Sequence, residues 1–274
     1  MTIQHTVTVK KEKCIHCGLC IQDCVAACLE FDEEKIPRYK AGGGQRCLAC
    51  QHCMLVCPEG ALSFGGLDPE ACGTVSYGDS GQLLGLIKSR RSIRAYKQQN
   101  LSQEQLDSIK DMLAYAPTGV NAPSVHFSLV ATREKMDEIR KVTYDCLKTV
   151  REDSPLFVIK EMAEAFKKEG KDLVYRGAPA LIITSVDTKA AASVCQTTDP
   201  VIALSYLDLY AASMGLGTVW DGFAVALARA FPEIEAQFQI PRGCSLGFVM
   251  AIGIPAISYQ RTPQRTTDRI TIIR

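Results

Sequence analysis

Nine of the thirteen cysteines in this 274-residue chain fall between Cys14 and Cys57, and eight of them form two runs of identical spacing. Cys14, Cys17, Cys20 and Cys24 recur as Cys47, Cys50, Cys53 and Cys57, each displaced by 33 residues. The match continues from Leu29 and Phe31 to Leu62 and Phe64. Thiolates are soft ligands, and cysteines two residues apart can converge from one loop on an inorganic iron–sulfur cube. Zinc draws on C-x2-C pairs set further apart and does not call for three cysteines in such a row. A disulfide framework expects an even count in a short exported chain, and here the count is odd. The spacing predicts cluster chemistry, which moves single electrons and holds no substrate.

These runs resemble the bacterial ferredoxins with two 4Fe–4S clusters, over residues 1 to about 66. Pro58 after Cys57 fits that family's run, and Val25 after Cys24 departs from it. In such ferredoxins the fourth cysteine of each run ligates the other cluster. The resemblance therefore implies one cluster on Cys14, Cys17, Cys20 and Cys57 and another on Cys47, Cys50, Cys53 and Cys24. Cys28 aligns with Ala61, so the repeat does not require it as a ligand, and a small buried thiol is its expected role. Cys72, Cys146, Cys195 and Cys244 have no partner pattern and are read as structural. His16 and His52 lie inside the ligand loops and are read as residues that tune or cover a cluster rather than as ligands.

A second set of residues offers different chemistry. Ser89-Arg90-Arg91-Ser92-Ile93-Arg94-Ala95-Tyr96 supplies adjacent guanidinium groups and hydroxyls, which suit a phosphate or a polar ring edge. Further on come Ala116-Pro117-Thr118-Gly119-Val120-Asn121 and then Pro123-Ser124-Val125-His126-Phe127. Together these segments resemble the FMN-dependent nitroreductase family, over about residues 82–266. Pro123, Ser124 and Val125 depart from that family's Q-P-W. Gly215 to Gly222, Gly247 to Pro255 and Tyr259 to Arg265 extend the likeness. No catalytic triad is visible, and His126 is read as an ordinary strand residue.

The resemblance implies roles for named residues. Arg90, Ser92 and Arg261 would hold the FMN phosphate or ribityl hydroxyls, with Arg265 the alternative to Arg261. Arg91 would touch the ring edge, and Arg94 the pyrimidine end. Backbone N–H groups of Asp221 and Gly222 would face the central ring nitrogen, and a glycine there permits close approach. Pro117, Thr118, Gly119 and Asn121 would reach the FMN of a neighbouring subunit, which implies a homodimer. Arg176 is a candidate without an assigned place.

The elements that must position these groups follow from local patterns. Residues 1–75 hold 7 Lys/Arg against 9 Asp/Glu, while the remainder holds 24 against 21. Glycine and small polar residues from Phe64 to Gly81 read as a linker. Two domains result, 1–75 and 76–274. In the first, each copy predicts a ligand loop, a short helix and a strand, with another strand at Thr6–Val9. In the second, Ser102 and Gln105 bracketed by Leu101 and Leu106 form a capping box with a staple, so a helix starts at Gln103. A helix near 134–150, one opened by Ser154-Pro155 and closed by Gly170, and a long one from Asp199-Pro200 to Gly215 are expected. Residues 180–186, 218–220 and 246–254 read as strands. Such interspersion predicts an α+β or α/β sandwich. The two resemblances imply α+β, a ferredoxin-like module followed by a nitroreductase-like sandwich.

Composition narrows the function classes. The chain is 47% hydrophobic and 22% charged, enough for a real core. Its net charge of +1 argues against a general nucleic-acid binder, and no basic recognition helix is evident. No apolar run reaches the length of a membrane span, and no secretory pattern opens the chain, so the cytoplasm is the expected location. The joint reading is an FMN oxidoreductase with its own two-cluster wire. It would pass electrons to a small organic acceptor such as a nitroaromatic, quinone or activated alkene, drawing on an external redox donor. The alternatives are an NAD(P)H-dependent flavin reductase with the clusters as outlet, and a non-catalytic electron-transfer module of a larger complex.

Overall fold

The computed structural model describes residues 5–274. It forms two compact units, Met1–Tyr77 and Gly78–Arg274.

In the first unit, β1 (Val7–Val9), α1 (Leu19–Gln22), β2 (Leu29–Phe31), β3 (Pro37–Tyr39), α2 (Gly43–Arg46), α3 (His52–Leu55) and β4 (Leu62–Phe64) follow in order. β1 pairs antiparallel with β4, Val7 opposite Phe64, and β2 pairs antiparallel with β3, Leu29 opposite Tyr39. The 33-residue repeat extends to the backbone. His16 and Ala49 have φ of 56° and 52°, Gly18 and Gln51 have 76° and 63°, and Ala27 and Gly60 have 48° and 55°. Left-handed backbone at a residue with a Cβ costs about 1–2 kcal/mol, so four of these six positions are strained. Strain repeated in register marks loops wrapped tightly around something. The core beneath them is small: Cys20, Leu29, Met54, Leu62 and Phe64.

The second unit runs α4 (Ser80–Ser89), α5 (Gln103–Leu113), β5 (Val125–Val130), α6 (Arg133–Lys148), α7 (Phe157–Lys168), β6 (Ala180–Asp187), α8 (Thr198–Ser213), β7 (Gly217–Trp220), α9 (Gly222–Ala230), α10 (Pro232–Gln237) and β8 (Cys244–Gly253). Its sheet has the order β5-β6-β8-β7, every pair antiparallel. That settles the choice between α+β and α/β in favour of α+β. β6 and β8 are buried on both faces, and alternate side chains serve different cores. Leu181, Ile183, Val249 and Ala251 join α6, α7 and α9 on one face. Ala180, Ile182, Met250 and Ile252 join α5 and α8 on the other. Where the β6–β8 register shifts, the Thr184 hydroxyl donates to the Phe248 carbonyl (3.2 Å) and accepts from the Phe248 N–H (2.9 Å), so the irregularity stays hydrogen-bonded.

Helix starts show where local signals hold and where they yield. Ser102 and Gln105 form the reciprocal capping box at α5. Asp79 caps α4 from within the stretch read as linker. α7 begins at Phe157 rather than at Ser154-Pro155, because the Ser154 Oγ takes the Leu156 N–H in a local turn (3.2 Å). Asp199 lies inside α8 rather than capping it, and its carboxylate accepts from the Gly119 N–H (3.0 Å). α9 and α10 have no counterpart in the sequence reading.

Candidate functional site

The eight repeated cysteines line two cavities. One is walled by Cys14, Cys17, Cys20 and Cys57, and the other by Cys47, Cys50, Cys53 and Cys24, with Cys28 beside them. Each cavity thus takes three thiols from one run and the fourth from the other. Among the described residues, no three His, Cys, Asp or Glu side chains converge on a point that one metal ion could fill. Four thiols around a shared space are a donor set that fits an iron–sulfur cube.

Electrostatics agree with that donor set. Burial, then the neighbouring Cys57 thiol, raises Cys20. Burial, then the Cys47 and Cys50 thiols, pushes Cys53 up to about 12. Thiols so crowded become ligands only when a cation holds them as thiolates. Backbone donors wait at equivalent places: Cys28 N–H on Cys24 Sγ (3.2 Å) and Ala61 N–H on Cys57 Sγ (3.3 Å). His16 Nδ1 donates to the Lys35 carbonyl (3.0 Å), and His52 Nδ1 meets Asp23 (3.2 Å). His16 lines the first cavity and His52 the second.

In the second unit β7 separates two open cavities. Gly217 and Thr218 face one, together with Ser89, Arg90, Arg91 and Tyr259. Val219, Trp220, Asp221 and Gly222 face the other, together with Arg94 and Arg176. β7 lies close to the arginine segment because Gly217 has no side chain. A Cβ there would stand 2.3 Å from Ile93 Cγ1. Ser92 bridges to Thr218 across this contact, and the Ile93 N–H donates to the Thr218 carbonyl (2.8 Å).

Arg90 is held from behind. Its guanidinium pairs with Asp208 at 3.3 Å, and that buried carboxylate also accepts from the Thr218 hydroxyl and from Trp220 Nε1 (3.3 Å). Arg91 donates to the Lys88 carbonyl, and its Nε is buried without a partner. Two guanidinium groups, one of them with an orphaned donor, fit an anionic, phosphate-bearing cofactor. Arg94 donates to the Ser92 carbonyl (3.4 Å) from the wall of the other cavity.

Asp221 differs from its expected role. Its N–H is committed to the Val249 carbonyl (2.9 Å), which leaves the Gly222 N–H as the amide able to face a ligand. The Asp221 side chain caps α9 through the Ala224 N–H (2.9 Å), while Oδ2 is buried without a partner. Burial first, with Asp172 adding and Arg176 opposing, raises this carboxyl to about 7.

The loop after α5 lies elsewhere. Thr118 and Asn121 line a third cavity with Ala114, Pro123 and Phe127. The Thr118 hydroxyl donates to the Ala122 carbonyl (2.7 Å), and Val120 and Asn121 take φ of 51° and 54°. Gly119 is required here, since a Cβ would lie 2.3 Å from Cys195 Sγ. Pro117 sits on the same loop. Within one chain these four residues do not join the arginine cavity. Arg261 and Arg265 are exposed and line none of the three cavities.

Sequence reasoning missed Asp208 and left Arg176 unplaced. A carboxylate inside an otherwise apolar helix was the available signal for Asp208. Arg176 sits over the Phe166 ring (5.3 Å) at a left-handed φ of 57°.

Residues 87–254 match the model of the nitroreductase family, and residues 13–61 match that of the 4Fe-4S dicluster domain. A protein of Methanothermobacter thermautotrophicus named NADH dehydrogenase/NAD(P)H nitroreductase is 28% identical over 175 residues, 64% of this chain and 78% of its own length. Two nitroreductase crystal structures with bound FMN share the fold at 23% identity. That from Desulfitobacterium hafniense has a TM-score of 0.57 and covers 70% of this chain and 98% of its own. That from Bacteroides fragilis has a TM-score of 0.59 and covers 70% and 99%.

Proposed function

Because the chain belongs to the nitroreductase family and carries a 4Fe-4S dicluster domain ahead of it, we propose that it is an FMN-dependent oxidoreductase fed by two 4Fe–4S clusters and acting on a small organic acceptor, such as a nitroaromatic, quinone or activated alkene. The observation that carries this reading is the pair of thiol quartets, each on its own cavity, in one chain with the arginine cavity beside β7.

FMN, when bound, exchanges electrons singly with a cluster and in pairs with an organic molecule. The chain's own residues bind and orient it. Arg90 and Arg91 offer charge-assisted donors to the phosphate end or ring edge, with Arg90 pre-set by Asp208. Ser92 and, from the tail, Arg261 complete that set. Arg94 brings positive charge to the second cavity, where the Gly222 N–H can meet a ring nitrogen.

The protein acts as a homodimer in this reading. α8 buries Leu204, Leu207 and Ala211 inward yet exposes Val201, Ile202 and Tyr206. A helix apolar on both sides is normally covered on both. A second copy would bring Pro117, Thr118, Gly119 and Asn121 to the FMN of its partner.

A second reading is favoured by the name of the Methanothermobacter relative: NAD(P)H reduces the flavin directly and the clusters serve as outlet. Anaerobic stopped-flow of the holoprotein separates the two. The wire reading expects slow flavin bleaching with NADH or NADPH and fast bleaching with a reduced low-potential carrier protein. Fast bleaching with a pyridine nucleotide alone supports the second reading.

A further inference from the structure

The two thiol cavities are copies of one another, so their differences can be read residue by residue. Cys24, Cys47, Cys50 and Cys53 of one stand at the positions of Cys57, Cys14, Cys17 and Cys20 of the other. Leu29 and Leu62 floor them equivalently. The backbone N–H to sulfur bonds match within 0.1 Å. What the repeat holds in common cannot distinguish the two sites.

The linings also differ, with His52 in the Cys24 cavity where Leu19 stands in the Cys14 cavity. Glu59 lines the Cys14 cavity where Ala26 lines the Cys24 cavity. Cys28 stands in the place of Ala61, with its thiol toward the Ala26 carbonyl (3.6 Å). Tyr39 has no counterpart at all. It belongs to β3, which lies between the two copies, and it walls only the Cys24 cavity. Its hydroxyl is buried without a hydrogen-bond partner, in a side chain that shares the cavity wall with Cys47, Cys50 and Cys53. A buried hydroxyl that nothing receives carries an uncompensated desolvation cost.

We propose that Tyr39 donates its O–H to the Cys47 thiolate and thereby gives the cluster on Cys24, Cys47, Cys50 and Cys53 the higher of the two reduction potentials. A donor on a ligand sulfur favours the reduced cluster, which carries one more negative charge. Glu59, an exposed carboxylate by the other cavity, acts in the same sense by disfavouring reduction there, weakly because solvent screens it. The pair of sites is thus graded, with the Cys24-side cluster the resting place for an electron. This inference depends on the two-cluster reading above.

The test is an anaerobic redox titration of the holoprotein followed by EPR, on wild type and Tyr39→Phe, with iron measured in both. The expected result is two midpoints in wild type, with Tyr39→Phe lowering the upper one and leaving the lower one in place at unchanged iron. Coincident midpoints in wild type overturn the inference. So does a Tyr39→Phe protein with full iron whose midpoints are both unmoved, or whose lower midpoint alone moves. If Tyr39→Phe sheds iron, 3-fluorotyrosine placed at position 39 keeps the hydroxyl and strengthens it as a donor. It should raise the upper midpoint, and no rise overturns the inference. Wild-type protein without cluster iron or an EPR signal sinks the two-cluster reading itself, a result distinct from a failure at Tyr39.

Discussion

In the N-terminal unit each cavity draws its four thiols from two stretches of eleven residues, whose loops need little more than five core side chains beneath them. In the C-terminal unit the arginine segment, Asp208 of α8 and Gly222 of α9 come from separate elements, and they reach the two sides of β7 because β7 is packed between β8 and the arginine segment. The first arrangement leans on its inorganic content, since strained loops over a small core gain stability from the metal that binds them. The second leans on a sheet whose two faces are both filled, and the proposed cofactor site lies along β7 of that sheet. Damage to one unit should therefore spare the other's cofactor.

The largest effect expected follows from that contrast. Cys17→Ser or Cys50→Ser each removes one ligand quartet, so iron should fall by about half, and the N-terminal unit should lose its cooperative transition. FMN content should not change. Iron and flavin quantitation with calorimetry checks this, and a parallel loss of FMN would break the contrast.

Arg90→Ala should act in the opposite direction. Removing Arg90 strips the buried Asp208 carboxylate of its cation. The expected cost is about 2 kcal/mol in the second unit, below the range for fully buried pairs because Arg90 is partly exposed. FMN affinity should drop by roughly tenfold or more, as a charge-assisted donor is lost. Iron should stay at its wild-type level. Fluorescence titration of FMN and thermal melts read both.

Asp221→Asn gives a pH signature. The carboxyl is raised to about 7 in the fold against 3.8 when exposed. Between those values the unfolded chain has released a proton that the folded chain keeps. Stability is thus lost as pH rises from about 4 to about 7, on the order of 4 kcal/mol in all if nothing pairs with Oδ2. Asn keeps the cap on the Ala224 N–H and removes the titration. Melting temperature against pH should flatten over that window in the variant.

Ser102→Ala is the smallest of the set. It removes the Oγ acceptor of the Gln105 N–H (3.1 Å) at the start of α5 and should cost about 1 kcal/mol. Neither cofactor should respond, which makes it the control for the larger changes.

How much of this was legible in the sequence depended on the same contrast. The thiol quartets could be read because ligand spacing is local, and the crossing of the fourth cysteine came with the resemblance. Tyr39 could not be read, since it enters from β3, outside the repeat. The capping box at Ser102 and the apolar run of β6 were visible because both are contiguous patterns. Asp199 looked like a cap and is not one, because the Gly119 N–H across the unit takes its carboxylate. The Asp221 N–H looked free, and the Val249 carbonyl on β8 takes it. In both cases a partner distant in sequence overrode a local signal. Arg261 was assigned with the arginine cavity by likeness alone, and in the structure it is exposed on the tail.

Rapid mixing of a reduced low-potential carrier protein with the FMN-loaded chain, in wild type and in Cys17→Ser/Cys50→Ser, tests the central claim most directly. The account predicts that flavin bleaching in wild type follows cluster reduction and that the double variant, still carrying FMN, bleaches at least about tenfold more slowly. Equal bleaching rates in the two proteins would contradict it.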